Sequence, residues 1–132
     1  AIDEMSEILK KNKKKSIPLP VSAPFHCSLM KPAAKNMEKN IIKTKFYDPS
    51  VQIVSNVTAQ ATTNSDNIKK LLIEQIFSKV RWRESVEYMI SNGVKEFIEV
   101  GPGKVLSGLI KRIDDKVTSK SINTIDEIKN LK

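Results

Sequence analysis

The sequence has one cysteine and one histidine in 132 residues, and both scarcities bound its chemistry. A single cysteine closes no intramolecular disulfide, and one cysteine with one histidine cannot complete a structural zinc site. No metal chemistry is expected. No run of about eighteen apolar residues occurs, and the first residues are charged where a signal peptide needs an apolar stretch. A cytoplasmic protein with no membrane partner is therefore expected. Arginine occurs only at positions 81, 83 and 112, so the formal charge of +8 rests mainly on lysine. Such a balance permits an acidic partner. With aromatic residues at 5% and no recognisable reading motif, nucleic acid is not expected to be that partner. All four glycines, Gly93, Gly101, Gly103 and Gly108, fall in the last third of the chain.

What is present suffices for one domain, with 39% hydrophobic residues. Ile2, Met5, Ile8 and Leu9 recur at helical spacing within residues 1–12, giving an apolar face expected to pack on a sheet. A basic run follows over residues 10–15. Pro18, Pro20 and Pro24 stiffen residues 17–23 into an expected strand or extended segment. Ser28 is then placed to cap a helix over residues 29–44, with Pro32 in its first turn and Leu29, Ala33, Met37 and Ile41 as the buried stripe, Ala34 beside them.

Val51, Ile53 and Val57 mark a strand, and residues 64–66 cap a helix over 66–77, with Gln75 near its end. Val86, Met89 and Ile90 predict a helix closed by Asn92 and Gly93. A strand over 97–100 leads through Gly101-Pro-Gly103 into a helix with Val105, Leu106, Leu109, Ile110 and Ile113 inward. A glycine turn opening a helix can cradle phosphate, but this one lacks the spacing of a P-loop or dinucleotide fingerprint and reads as a tight strand-to-helix turn. A last strand over 117–123 and a short helix capped by Thr124 complete the pattern.

His26 stands at the end of the proline-stiffened segment. Histidine titrates near neutral pH and is the usual base for activating a serine or cysteine nucleophile. Cys27 is a poor partner, because adjacent side chains do not face each other on strand or helix. Alone, one histidine with no nucleophile in view fits a structural role more readily than catalysis.

The surrounding residues alter that balance. Ser22-Ala-Pro-Phe-His-Cys-Ser-Leu-Met-Lys-Pro32 resembles the histidine motif of malonyl-CoA:acyl carrier protein transacylases. A second block, Phe97-Ile-Glu-Val-Gly-Pro-Gly-Lys-Val-Leu106 with Lys111-Arg-Ile113 after it, follows in the family's order. The resemblance implies an α/β fold: residues 1–21 as the end of an inserted ferredoxin-like subdomain, and 22–132 as the C-terminal part of an α/β-hydrolase-like acyltransferase core. It implies malonyl-CoA as substrate, acyl carrier protein as partner, and no bound cofactor. It makes His26 the general base, with the backbone carbonyl of Gln75 orienting its ring. Phe25 becomes the substrate-selecting side chain, and Lys14, Lys15, Lys111 and Arg112 the carrier-docking cations.

The departures from the family are equally informative. No Gly-x-Ser-x-Gly elbow occurs, so the serine nucleophile is missing, as are the arginine that pairs the malonyl carboxylate and the N-terminal glutamine loop. The chain begins at Ala1, which suits a piece of something longer. It is expected to be inactive by itself and to need the N-terminal remainder of the enzyme as a partner. Polyketide-synthase acyltransferases share the histidine motif and are the nearest alternative. A basic, non-catalytic module that binds an acidic partner such as acyl carrier protein is the alternative outside the enzyme class.

Overall fold

The apolar periods of the C-terminal half build the best-buried unit of the computed structural model, which describes residues 2–18, 21 and 23–131. Helix α4 (Trp82–Ser91) presents Val86 inward, and strands β3 (Glu96–Val100) and β4 (Thr118–Ile122) pair in parallel, Phe97 opposite Ser119 and Val100 opposite Ile122. Parallel neighbours require a crossover. Helix α5 (Val105–Ile113) supplies it and packs on both strands. Val86, Phe97, Ile110 and Val117 form the core cluster, surrounded by half-buried Trp82, Met89, Ile90, Val94 and Ile113. Each such side chain, fully buried, contributes roughly 1.5–3 kcal/mol.

Local signals end these helices as the sequence indicates. At the end of α4, Gly93 has φ +91°, its N–H donates to Ile90 O (2.9 Å), and Val94 N–H donates to Met89 O (3.0 Å). That is the Schellman arrangement, in which glycine takes the left-handed position. Helix α6 (Ile125–Lys129) opens on a reciprocal capping box between Thr124 and Glu127.

The Gly101-Pro-Gly103 turn is tight, with φ of +138° and +97° at its glycines, and Gly103 N–H donates to Asn123 Oδ1 at 2.8 Å. The helix start beyond it is occupied by the chain's own Glu99, whose carboxylate accepts from Leu106 N–H (3.1 Å) and Ser107 N–H (2.8 Å). Those donors, Ser107 N–H first, hold the Glu99 carboxyl below the usual carboxylate range. The inward face of α5 differs from expectation. Val105 and Leu106 are exposed, because α5 lays Ser107 and Ile110 against the sheet.

A second unit joins α2 (Lys31–Lys43), the short hairpin β1 (Ile53–Val54) and β2 (Ala61–Thr62), and α3 (Ser65–Glu74). Asn64 caps α3, its Oδ1 accepting from Asn67 N–H at 2.8 Å. Val51 lies outside the strand and is exposed. Helix α2 packs on α3. Its more buried line runs through Met30, Ala34, Glu38 and Ile41 rather than the expected Leu29, Ala33 and Met37, which are exposed. Ser28 makes no side-chain cap; a 3₁₀ turn over Ser28–Met30 precedes α2, with Pro32 in the first turn of the helix.

Helix α1 (Ile2–Lys11) forms as its period predicts, but none of its residues is buried. The expected sheet beneath it is not found, since both sheets of the described residues are built from positions beyond 52. Ile17, Pro18, Val21 and Ala23 take no part in a strand. Prolines remove ladder donors there, and among the described residues no strand pairs with this segment; Leu19, Pro20 and Ser22 lie outside the described residues.

Candidate active site

The turn that carries His26 is closed by short-range hydrogen bonds. Phe25 N–H donates to Ala23 O at 2.9 Å, the Cys27 thiol stands 3.1 Å from Pro24 O, and Met30 N–H donates to Cys27 O at 3.0 Å. Between them His26 adopts φ +57°. A non-glycine residue rarely takes this left-handed conformation, which costs on the order of 1–3 kcal/mol and persists only where surrounding contacts enforce it. The side chain makes such a contact: Nδ1 lies 2.9 Å from the carbonyl oxygen of Gln75, forty-nine residues away.

Gln75 offers that oxygen because it is the C-terminal cap of α3, where carbonyls lack the donors of a continuing helix. A carbonyl can only accept, so Nδ1 carries the proton and, in the neutral ring, Nε2 is left with a free lone pair. The imidazole is exposed. Its oriented bare nitrogen is suited to taking a proton from a hydroxyl or thiol brought to it.

The remaining sequence-selected residues are not gathered here. Phe25 adjoins the histidine in sequence and is 55% exposed. Lys14 and Lys15 lie on the exposed turn after α1. Lys111 and Arg112 share the last turn of α5 but line different clefts. Arg112 faces a cleft of about 580 Å³ with Lys79, Arg81, Trp82 and Leu109, whereas Lys111 borders a basic hollow of about 290 Å³ with Lys104 and Lys120.

The cavity that adjoins the histidine's partner is small, about 90 Å³, and lined by Val54, Asn56, Thr62, Leu71 and Gln75 among others. Ligand pockets for drug-sized molecules occupy about 300–1,000 Å³. The 580 Å³ cleft at Arg112 does not include His26 in its lining. Among them, no group of three or more His, Cys, Asp or Glu side chains could hold a metal ion, and no helix is long and apolar enough to cross a membrane.

Two supporting contacts had no signal in the sequence. Arg81 secures the β1–β2 loop, its Nη1 donating to Thr58 O (2.8 Å) and its backbone N–H to Asn56 O (2.9 Å). Cys27, set aside as a nucleophile, braces the histidine's turn instead. The Arg81 contacts depend on distant backbone carbonyls brought near by folding, which no residue spacing announces, whereas the Cys27 thiol reaches a carbonyl within its own turn.

No protein-family model matches the chain. Over 110 residues it is 48% identical to the malonyl CoA-acyl carrier protein transacylase of Escherichia coli (strain K12), which covers 83% of this chain and 36% of that protein. The chain matches the C-terminal part of the malonyl-CoA:acyl carrier protein transacylases. The solved transacylase structures agree: the acyl-carrier-protein-S-malonyltransferase of Bartonella henselae superimposes with a TM-score of 0.86 at 36% identity, over 97% of this chain and 41% of that one. A malonyl-transacylase solved in complex with a type II polyketide-synthase acyl carrier protein gives a TM-score of 0.84 at 34% identity, over 96% and 41%. The chain thus spans about two fifths of the length of the transacylases it matches.

Proposed function

We propose that this chain is the base-bearing part of an enzyme that moves malonyl from coenzyme A to the phosphopantetheine thiol of an acyl carrier protein in fatty-acid biosynthesis. The observation that carries the reading is the 2.9 Å contact between His26 Nδ1 and the Gln75 carbonyl, within a chain similar to malonyl transacylases along most of its length. Residues 1–21 are read as the end of a ferredoxin-like subdomain and 22–132 as part of a hydrolase-like core. The nucleophile is a serine outside this sequence.

In this mechanism His26 Nε2 takes the serine proton as Oγ attacks the malonyl thioester carbon. The carbon–sulfur bond breaks, and the imidazolium returns the proton to the departing coenzyme A thiolate. In the second half His26 takes the proton of the carrier thiol, whose sulfur attacks the malonyl-serine ester; the serine oxygen leaves and is reprotonated. Gln75 supplies a neutral dipole where other triads place a carboxylate, fixing the tautomer and the ring orientation. Phe25 narrows the acyl site, a contact worth about 1–3 kcal/mol against a branched substrate. Lys14, Lys15, Lys111 and Arg112 steer an acidic carrier through long-range charge, an effect that weakens as salt rises.

The test is malonyl transfer to acyl carrier protein by this chain alone and after mixing with the polypeptide that carries the family's serine. Activity is expected only in the mixture, and His26→Ala should lower it by about 10²–10⁴-fold, the usual contribution of a general base. Transfer by the chain alone, or undiminished transfer by the variant, overturns the reading. If both parts fold and the mixture is inactive, a carrier-binding module without chemistry replaces it.

A further inference from the structure

The His26–Gln75 contact joins two separately built segments, and a second contact joins the same two. Lys31, the first residue of α2, places its ammonium 5.8 Å from the centroid of the Phe77 ring. A cation within about 6 Å of a ring face is attracted by the ring's quadrupole. Among the described residues Lys31 has no carboxylate partner.

Each end of this contact is fixed relative to the site. On one side Met30 N–H donates to Cys27 O (3.0 Å) and Lys31 N–H caps the 3₁₀ turn by donating to Ser28 O, so Lys31 is set by a stiff turn that starts beside His26. On the other side Phe77 N–H donates to Glu74 O (3.2 Å) and Ser78 N–H to the same oxygen (3.1 Å), fixing Phe77 against the helix end that presents Gln75. The pairing at Lys31 and Phe77 therefore adds a side-chain link, close to His26, to the packing of α2 on α3.

We infer that Lys31 and Phe77 are a positioning pair for His26, a latch between the start of α2 and the end of α3 that keeps Nδ1 within reach of the Gln75 carbonyl. The latch gives an exposed histidine at φ +57° a restraint at the α2 start, where the packing of α2 on α3 does not by itself hold the ring. Its catalytic importance rests on the reading of His26 as the base; its existence does not.

His26 is the only histidine, so imidazole ¹⁵N shifts of the full chain report its tautomer without assignment ambiguity. The parent should show a ratio dominated by the Nδ1–H form. Lys31→Met keeps the apolar stem and removes the cation, and Phe77→Leu keeps apolar bulk and removes the ring. Each should raise the share of the Nε2–H form by about two- to fivefold, the effect of losing one partly exposed cation–π contact. The double variant should add nothing beyond either single change, and Lys31→Arg, which also stacks on an aromatic face, should restore the parent ratio. An unchanged ratio in Lys31→Met, additive single effects, or failure of Lys31→Arg to restore it overturns the inference. No transfer is read, so a failed transferase reading leaves this result standing, and the reverse holds too.

Discussion

Residues 2–43 and residues 82–122 hold themselves together by different means. The second region closes Val86, Phe97, Ile110 and Val117 into a shared core, with Val86 at 0% exposure. In the first, α1 buries nothing and α2 buries only Ala34. Yet the first region carries the histidine, placed by one long-range hydrogen bond, a left-handed backbone and a thiol brace. Burial scales with apolar area and gives no direction, whereas hydrogen bonds contribute about 1 kcal/mol net but fix angles. Stability and aim are therefore supplied by separate parts of the chain.

The largest test of that division is Phe97→Ala. Truncating a ring at 8% exposure in the core cluster should cost about 3–5 kcal/mol, through lost transfer energy and the cavity left behind. Domains are stable by only about 5–15 kcal/mol, so urea unfolding should move far toward zero denaturant. A loss below about 1 kcal/mol would show that the β3–α5–β4 unit is not what stabilises this chain.

A smaller effect comes from Glu99, which bridges the comparison by being polar within the well-packed region. Its folded carboxyl is depressed, chiefly by the Ser107 N–H, below its unfolded value. A depressed acid contributes stability that is present above the ordinary carboxylate range and is lost as pH falls through the folded value. Glu99→Gln should therefore lower stability near neutral pH and flatten the acid limb of a stability–pH curve. A parallel acid limb in the variant shows that the helix start does not depend on this charge.

How legible each region was follows from the same division. Asn92 and Gly93 closing α4, and Thr124 opening α6, act through neighbours within five residues, so sequence spacing reveals them. The mixed α/β character and the strand–helix–strand run around residues 96–122 were legible for the same reason, each element having its own period. The choice between the Leu29 and Met30 faces of α2 was not, because both lines are partly apolar and only the position of α3 decides. The inward placement expected of Val105 and Leu106 failed likewise, since the tight Gly101–Gly103 turn and the Glu99 cap set the rotation of α5. The place of Gln75 near a helix end was legible from spacing, but its choice over other helix-end carbonyls as the acceptor for His26 came from the family resemblance, because a backbone acceptor leaves no trace in side-chain identity.

The smallest expected effect sharpens the comparison most. Leu29 lies within three residues of His26 in the 3₁₀ turn before α2, is 70% exposed, and continues the exposed apolar line of Ala33 and Met37. Surface substitutions away from special features usually change stability by within about 0.5 kcal/mol, and Leu29→Ala in this chain should stay inside that range. Exposed leucine also adds nothing to the His26–Gln75 contact, so the imidazole ¹⁵N shifts should not move. In the mixture with the serine-bearing polypeptide the same substitution becomes a probe of coverage. An unpartnered apolar stripe beside the site loses free energy on truncation only if something buries it, at about 25 cal/mol per Å². A destabilisation that appears in the mixture and is absent from the chain alone would place that stripe at the junction of the two parts. Equal, near-zero effects in both would leave α2 held through its α3 face alone.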